Sequence, residues 1–108
     1  MQRGDLVTVA LQGDSGKPRP ALVIQADQFA TTATVIVLPL TGTLLDLPLL
    51  RVTLEPSEAN GLHQASQVMV HRPQIVARDK IGGVIGRLDE ATMLAVNRLL
   101  ALVLGLAD

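Results

Sequence analysis

Apolar residues in this chain fall in short runs divided by glycine, proline and small polar residues, a rhythm that predicts strands over most of its length. Leu6-Val7-Thr8-Val9-Ala10-Leu11 is rich in β-branched residues and bounded by Gly4-Asp5 and Gln12-Gly13-Asp14, so it reads as a strand. After a turn-rich loop from Gly13 to Pro18, Pro20–Gln25 reads as a second strand, with proline at the first position, where it is tolerated. Thr34–Leu40 is apolar almost throughout, which predicts cover on both faces, and Thr41-Gly42 ends it. Leu50–Leu54 alternates like a half-exposed strand; Ser66–Val70, Gln74–Val76 and Val84–Gly86 are further candidates. Glu55–Gln64, with Pro56, Asn60 and Gly61, reads as a loop with room for one helical turn.

The period changes after Leu88. Asp89 is a natural N-cap, Glu90 puts negative charge in the first turn, and Gly105 is suited to end a helix. Met93, Val96, Leu100 and Val103 fall on one stripe at helical spacing, whereas Leu99, Leu102 and Leu106 lie off it. A helix apolar on more than one side needs more than one partner. One face packs on the strands; the other meets a second subunit or, in a monomer, loops of the same chain. Five to seven short strands followed by one helix predict a mainly β (α+β) fold, a small antiparallel barrel or sandwich. Residues 1–108 contain no repeat, linker or low-complexity stretch and read as one domain.

The chain has 108 residues, 48% of them hydrophobic, with a formal net charge of −1. That is enough apolar material for one core and too little charge for a disordered chain. The absence of cysteine leaves neither a disulfide framework nor a thiolate metal site. Met1-Gln2-Arg3-Gly4-Asp5 lacks the apolar core of an export signal, so a cytoplasmic protein is expected. The most apolar segment, Met93–Ala107, is interrupted by Asn97 and Arg98 and falls short of the about 20 residues that cross a bilayer; no membrane association is expected. Phe29 is the one aromatic side chain, which excludes a platform for stacking bases on rings. The near-neutral charge argues against indiscriminate coating of nucleic acid, so such a function would work through a few localised charges.

Seven motifs occur in a telling order: Arg3-Gly4-Asp5 before a strand, Arg19-Pro20-Ala21-Leu22-Val23-Ile24, a buried strand ending in Thr41-Gly42, Gln74-Ile75, Asp79-Lys80, Ile85-Gly86-Arg87-Leu88, and Leu104-Gly105-Leu106 closing the helix. This ordered set resembles the MazF/PemK-type toxins, the endoribonuclease half of type II toxin–antitoxin pairs. The resemblance implies an SH3-like small β-barrel of the CcdB/MazF type with a C-terminal α-helix, and a homodimer. It implies metal-independent, sequence-specific cleavage of single-stranded RNA with no cofactor. It also implies a cognate MazE- or PemI-like antitoxin whose disordered, often acidic tail occupies the RNA groove.

Such cleavage requires that the 2′-hydroxyl lose a proton as it attacks phosphorus and that the leaving 5′-oxygen gain one. The extra charge on the phosphorane must also be stabilised. The expected products are a 2′,3′-cyclic phosphate and a 5′-hydroxyl. By the resemblance Arg19 is the catalytic arginine, a planar donor fork that suits phosphate and keeps its charge. Thr41 matches the family's threonine, whose hydroxyl bonds a phosphate oxygen or the 2′-hydroxyl; the alternative is a turn residue bonding its own backbone. Thr43 is a candidate of the same kind. Asp79 falls where some PemK-type members carry an acidic general base, and reads equally as a solvated turn aspartate beside Arg78 and Lys80. Those members carry an arginine at the slot held here by Val76, with Arg78 as the nearby substitute. Where some members have a histidine before Arg19, this chain offers Ser15 and Lys17, the latter as a phosphate contact. His71, beside Arg72, and His63 are the imidazoles available for proton transfer or binding, too far apart in sequence for a zinc ligand set. The family's fold would bring Lys17, Arg19, Arg72, Arg78 and Lys80 toward one groove.

Two other classes share the architecture. One is a CcdB-like toxin that binds DNA gyrase and catalyses nothing; its Trp-Gly-Ile contact has no counterpart in Leu106-Ala107-Asp108. The other is a catalytically silent barrel that binds a protein partner, which Val76 and the short loop before Arg19 would suit.

Overall fold

The computed structural model describes residues 1–10 and 17–107. Its strands are β1 (Asp5–Val9), β2 (Arg19–Val23), β3 (Thr34–Thr41), β4 (Arg51–Leu54), β5 (Ser66–Met69), β6 (Gln74–Ala77) and β7 (Ile81–Arg87). The helix α1 (Glu90–Val103) follows, and short 3-10 turns occupy Asp27–Phe29 and Arg78–Lys80. The strands form an antiparallel sheet in the order β4-β5-β3-β2-β1-β7, with β6 also on β3. Among the described residues β4 and β7 end this path without pairing to each other, so the sheet is open. β3 divides it: Thr34–Val37 pair with β6, whereas Leu40 and Thr41 pair with β5.

The predicted strands are all present, with shifted ends. β1 begins at Asp5 and stops at Val9, and Leu11 lies outside the described residues. β2 begins one residue before Pro20 and ends at Val23. β7 extends well beyond the predicted Val84–Gly86 and takes in Gly82-Gly83. There a Cβ on Gly82 would stand 2.3 Å from the Thr8 hydroxyl, and the β1–β7 register shifts around Val7. Residues 55–64 form turns and no helix. Cover on both faces holds only for the second half of β3, since Thr34 and Ile36 are exposed while Val37–Leu40 are buried.

Alternation along β1–β3 feeds two cores. Leu6, Leu22, Leu38 and Leu40 join Val68, Val96 and Leu100 in the larger one, under α1. Val7, Val9, Ala21, Val23, Val35, Val37 and Val76 make a smaller, valine-rich one.

The helix is capped as its sequence predicts. Asp89 accepts the Thr92 backbone N–H at 2.7 Å. At the other end Gly105, at φ +73°, lets its own N–H and that of Leu106 bond back to the Leu102 and Ala101 carbonyls, a Schellman cap. Leu99 packs against the larger core with Met93 and Val103, because it lies three residues from Val96 and four from Val103 and so flanks the stripe. Leu94, Leu102, Leu104 and Leu106 stay exposed. No helix among the described residues is long and apolar enough to cross a membrane.

Arg3-Gly4-Asp5 ties the ends of the chain together. Arg3 donates to the Ile24 carbonyl (2.8 Å) and to Asn97 on α1 (2.7 Å), and Asp5 pairs with Arg87 at 2.8 Å.

Candidate functional site

Ala21 of β2 lies opposite Pro39 of β3. Continuing that register by two residues sets Arg19 beside Thr41, on strands about 4.8 Å apart. Both line a groove of about 550 Å³ whose walls also carry Thr43, Gln64, Arg72 and Gln74. Of the described residues that line it, Arg19 and Arg72 are the charged ones, and none is Asp, Glu or His. Two guanidiniums amid hydroxyls and amides make a surface for an anion.

Thr41 makes the turn bond that was its alternative reading: its Oγ1 accepts the Thr43 N–H at 3.1 Å. That bond uses a lone pair and leaves the hydroxyl proton to donate into the groove, so the two readings coexist. The following loop is braced from below by Gln67, which is 5% exposed and lies opposite Thr41 on β5. Its Oε1 accepts from Leu45 N–H (3.1 Å) and Arg51 Nη1 (2.9 Å), and its Nε2 donates to the Leu45 carbonyl (3.0 Å) and Thr53 Oγ1 (3.1 Å). Arg51 Nη1 also donates to the Thr43 carbonyl at 3.0 Å. Polar residues within short strands read in sequence as solvent-facing, and for that reason neither brace residue stood out.

A second wall comes from the 55–64 loop. Asn60 is buried; its Oδ1 accepts from Ser57 N–H (2.9 Å) and Leu62 N–H (3.0 Å), and its Nδ2 donates to the Glu55 carbonyl (2.8 Å). Gly61, at φ +68°, lies so close to β7 that a Cβ would stand 1.9 Å from the Ile85 carbonyl oxygen. Gly86 returns the approach, its Cβ position being 2.2 Å from the Asn60 carbonyl carbon. Pressed down in this way, the loop delivers Gln64 to the groove and His63 to an adjoining cleft of about 390 Å³. Pro20, Gln64 and Ser66 line both spaces.

The remaining sequence candidates are dispersed. Ser15 lies outside the described residues. Lys17 and His71 are exposed and outside the groove lining. Arg78, Asp79 and Lys80 form the 3-10 turn after β6, also outside that lining. Ala77 pairs with Thr34, seven residues before Thr41 and so roughly 23 Å away along the strand. The Arg78 guanidinium is spent there on the Thr32 carbonyl (2.7 Å) and hydroxyl (3.3 Å). The basic set expected in one groove is therefore divided, with Arg19 and Arg72 in it and Arg78 turned elsewhere. Val76 is buried in the smaller core, where a guanidinium could not be solvated.

An antiparallel sheet with one C-terminal helix, carrying a groove lined by arginine and threonine, defines a class of small strand-rich proteins. Residues 2–104 match the family described as PemK-like, MazF-like toxin of type II toxin–antitoxin system, and the chain belongs to that family. It is 44% identical over 108 residues to a probable endoribonuclease MazF of Mycolicibacterium smegmatis, with 99% of each chain covered. It is also similar to a solved mycobacterial endoribonuclease in complex with its cognate antitoxin, at 27% identity and TM-score 0.83, covering 100% of this chain and 98% of that one. The Mycobacterium tuberculosis toxin MazF-mt6 shares the fold at TM-score 0.82 and 24% identity, with 96% and 99% covered.

Proposed function

We propose that this chain is the toxin of a type II toxin–antitoxin pair and cleaves single-stranded RNA in the groove headed by Arg19 and Thr41. The carrying observation is that β2 and β3 set Arg19 and Thr41 on the walls of one groove together with Arg72. The substrate's 2′-hydroxyl gives its proton to solvent water as its oxygen bonds phosphorus, the bond to the 5′-oxygen breaks, and that oxygen takes a proton from water, leaving a 2′,3′-cyclic phosphate and a 5′-hydroxyl. Arg19 stabilises the charge that builds on the phosphorane, the Thr41 hydroxyl donates to a non-bridging oxygen, and Arg72 holds a flanking phosphate. No metal is required by this scheme. Asp79, exposed on the turn after β6, is given no part in it.

The same reading extends to assembly. The strands and α1 act as one domain of the SH3-like barrel type, its sheet left open between β4 and β7 among the described residues, and exposed Leu94, Leu102, Leu104 and Leu106 suit a second copy in a homodimer. A MazE- or PemI-like antitoxin with an acidic tail would cover Arg19 and Arg72 in the cytoplasm. The gyrase-binding alternative lacks its Trp-Gly-Ile contact, and the protein-binding one rests only on Val76 and the short loop before Arg19, so neither is favoured over RNA cleavage.

The test is incubation of folded protein with defined single-stranded RNA in EDTA, followed by mapping of the end groups. Cyclic-phosphate ends, with kcat reduced about 100-fold or more in Arg19→Ala, are expected. Intact RNA after incubation with well-folded protein would defeat the proposal.

A further inference from the structure

Among the described residues lining the groove, one buried side-chain polar atom has no hydrogen-bond partner. Gln74 opens β6 opposite Val37 of β3. Two residues on, Val76 is packed in the smaller core, so Gln74 lies on the inward face of its strand, where core gives way to groove. Its Oε1 is buried and has no hydrogen-bond partner among the described residues, and the side chain lines the groove with Arg19, Thr41 and Arg72. Gln67, by contrast, bonds at both ends of its amide. The other orphaned atom, Arg51 Nε, belongs to a guanidinium already anchored through Nη1 to Gln67 and Thr43. An enclosed acceptor with no donor is costly, and in native proteins such atoms are commonly completed by water or a ligand.

Resting on the RNA-cleaving reading above, we propose that Gln74 reads one base of the substrate. As the side-chain amide turns toward the groove, Oε1 accepts an N–H from the base edge while Nε2 donates to the acceptor beside it. A phosphate cannot fill this role, because it offers Oε1 no donor. Arg19 and Arg72 therefore hold the backbone, and Gln74 supplies sequence information. Adenine fits the amide best, since it sets its N6 amino group beside a ring-nitrogen acceptor on both its Watson–Crick and its Hoogsteen edge. With no aromatic residue among the described lining, base identity has to be read at edges of this kind.

The experiment compares wild type with Gln74→Leu and Gln74→Glu on a randomised single-stranded RNA pool, with the cleaved ends sequenced and each protein melted. Wild type is expected to favour adenine at one position. Both variants should flatten that preference about tenfold while keeping the preferences elsewhere, because leucine pairs with nothing and glutamate cannot donate. Gln74→Leu should melt no lower than wild type, since the native Oε1 has no bond to lose. Preferences unchanged at every position would overturn the proposal. So would a uniform loss across all sequences, a lost preference for a base other than adenine, or a melting temperature well below wild type. If wild type cuts no RNA, the RNA reading fails and this one with it; if it cuts and Gln74→Leu keeps the same ranking, only the role of Gln74 falls.

Discussion

Replacing Gln67 with leucine removes the brace beneath the 42–50 loop while nearly keeping the side-chain volume. Four hydrogen bonds of 2.9 to 3.1 Å are lost. Each is worth about 1 kcal/mol net, but the stranded partners fare differently. The Leu45 carbonyl keeps the Leu47 N–H (3.1 Å), and Arg51 keeps the Thr43 carbonyl, so neither is left without a partner. Leucine also gains from burial at a site only 5% exposed. The balance is a loss of about 2 kcal/mol, which for a chain of this size lowers Tm by about 10 °C. Because the loop follows directly from Thr41, kcat should fall more than KM rises if the threonine hydroxyl acts in the transition state. Gln67→Glu keeps both acceptor contacts and loses both donors, so it should fall between leucine and wild type. Thermal melts, amide exchange at Leu45 and single-turnover cleavage read the three effects. A Tm within about 2 °C of wild type, with Leu45 exchange unchanged, would show that the loop is not held by Gln67.

Gly86→Ala should destabilise by at least about 2 kcal/mol in urea titration, because its Cβ meets the Asn60 carbonyl carbon at 2.2 Å, backbone against backbone. Gly83→Ala, with open space around its Cβ position, is the control and should be neutral. Asp89→Ala should lower Tm at neutral pH through loss of the helix cap. The hydroxyl and the backbone N–H of Thr92, which both donate to the Asp89 carboxylate, hold its pKa below the ordinary value. Its contribution is accordingly complete above the unfolded carboxylate range, near pH 4, and is lost as pH falls through the lower folded value. The gap between wild type and Asp89→Ala should close on acidification; a gap that widens there contradicts the assignment.

The order of elements was legible in the chain itself. Period-two alternation and β-branched runs marked the strands, and Asp89 and Gly105 marked both ends of α1, because these signals act over a few residues. Arg19 and Thr41 were singled out as candidates through their place in the family's ordered motifs. What only the tertiary structure decided was how strands far apart in sequence pair. The β2–β3 register sets Arg19 beside Thr41, and the β3–β6 pairing carries Arg78 away to Thr32 at the opposite end of β3. Gln67 turned out to be a buried brace and Gln74 to hold an unpartnered acceptor, although both look in sequence like ordinary polar strand residues. β7 takes in Gly82-Gly83, outside the predicted Val84–Gly86, and there the close approach of Thr8 excludes a side chain at Gly82. Local propensity says which residues extend and which coil. Whether a polar atom ends up in water, in a hydrogen bond or alone depends on what other segments place against it, and that is settled only when the sheet pairs.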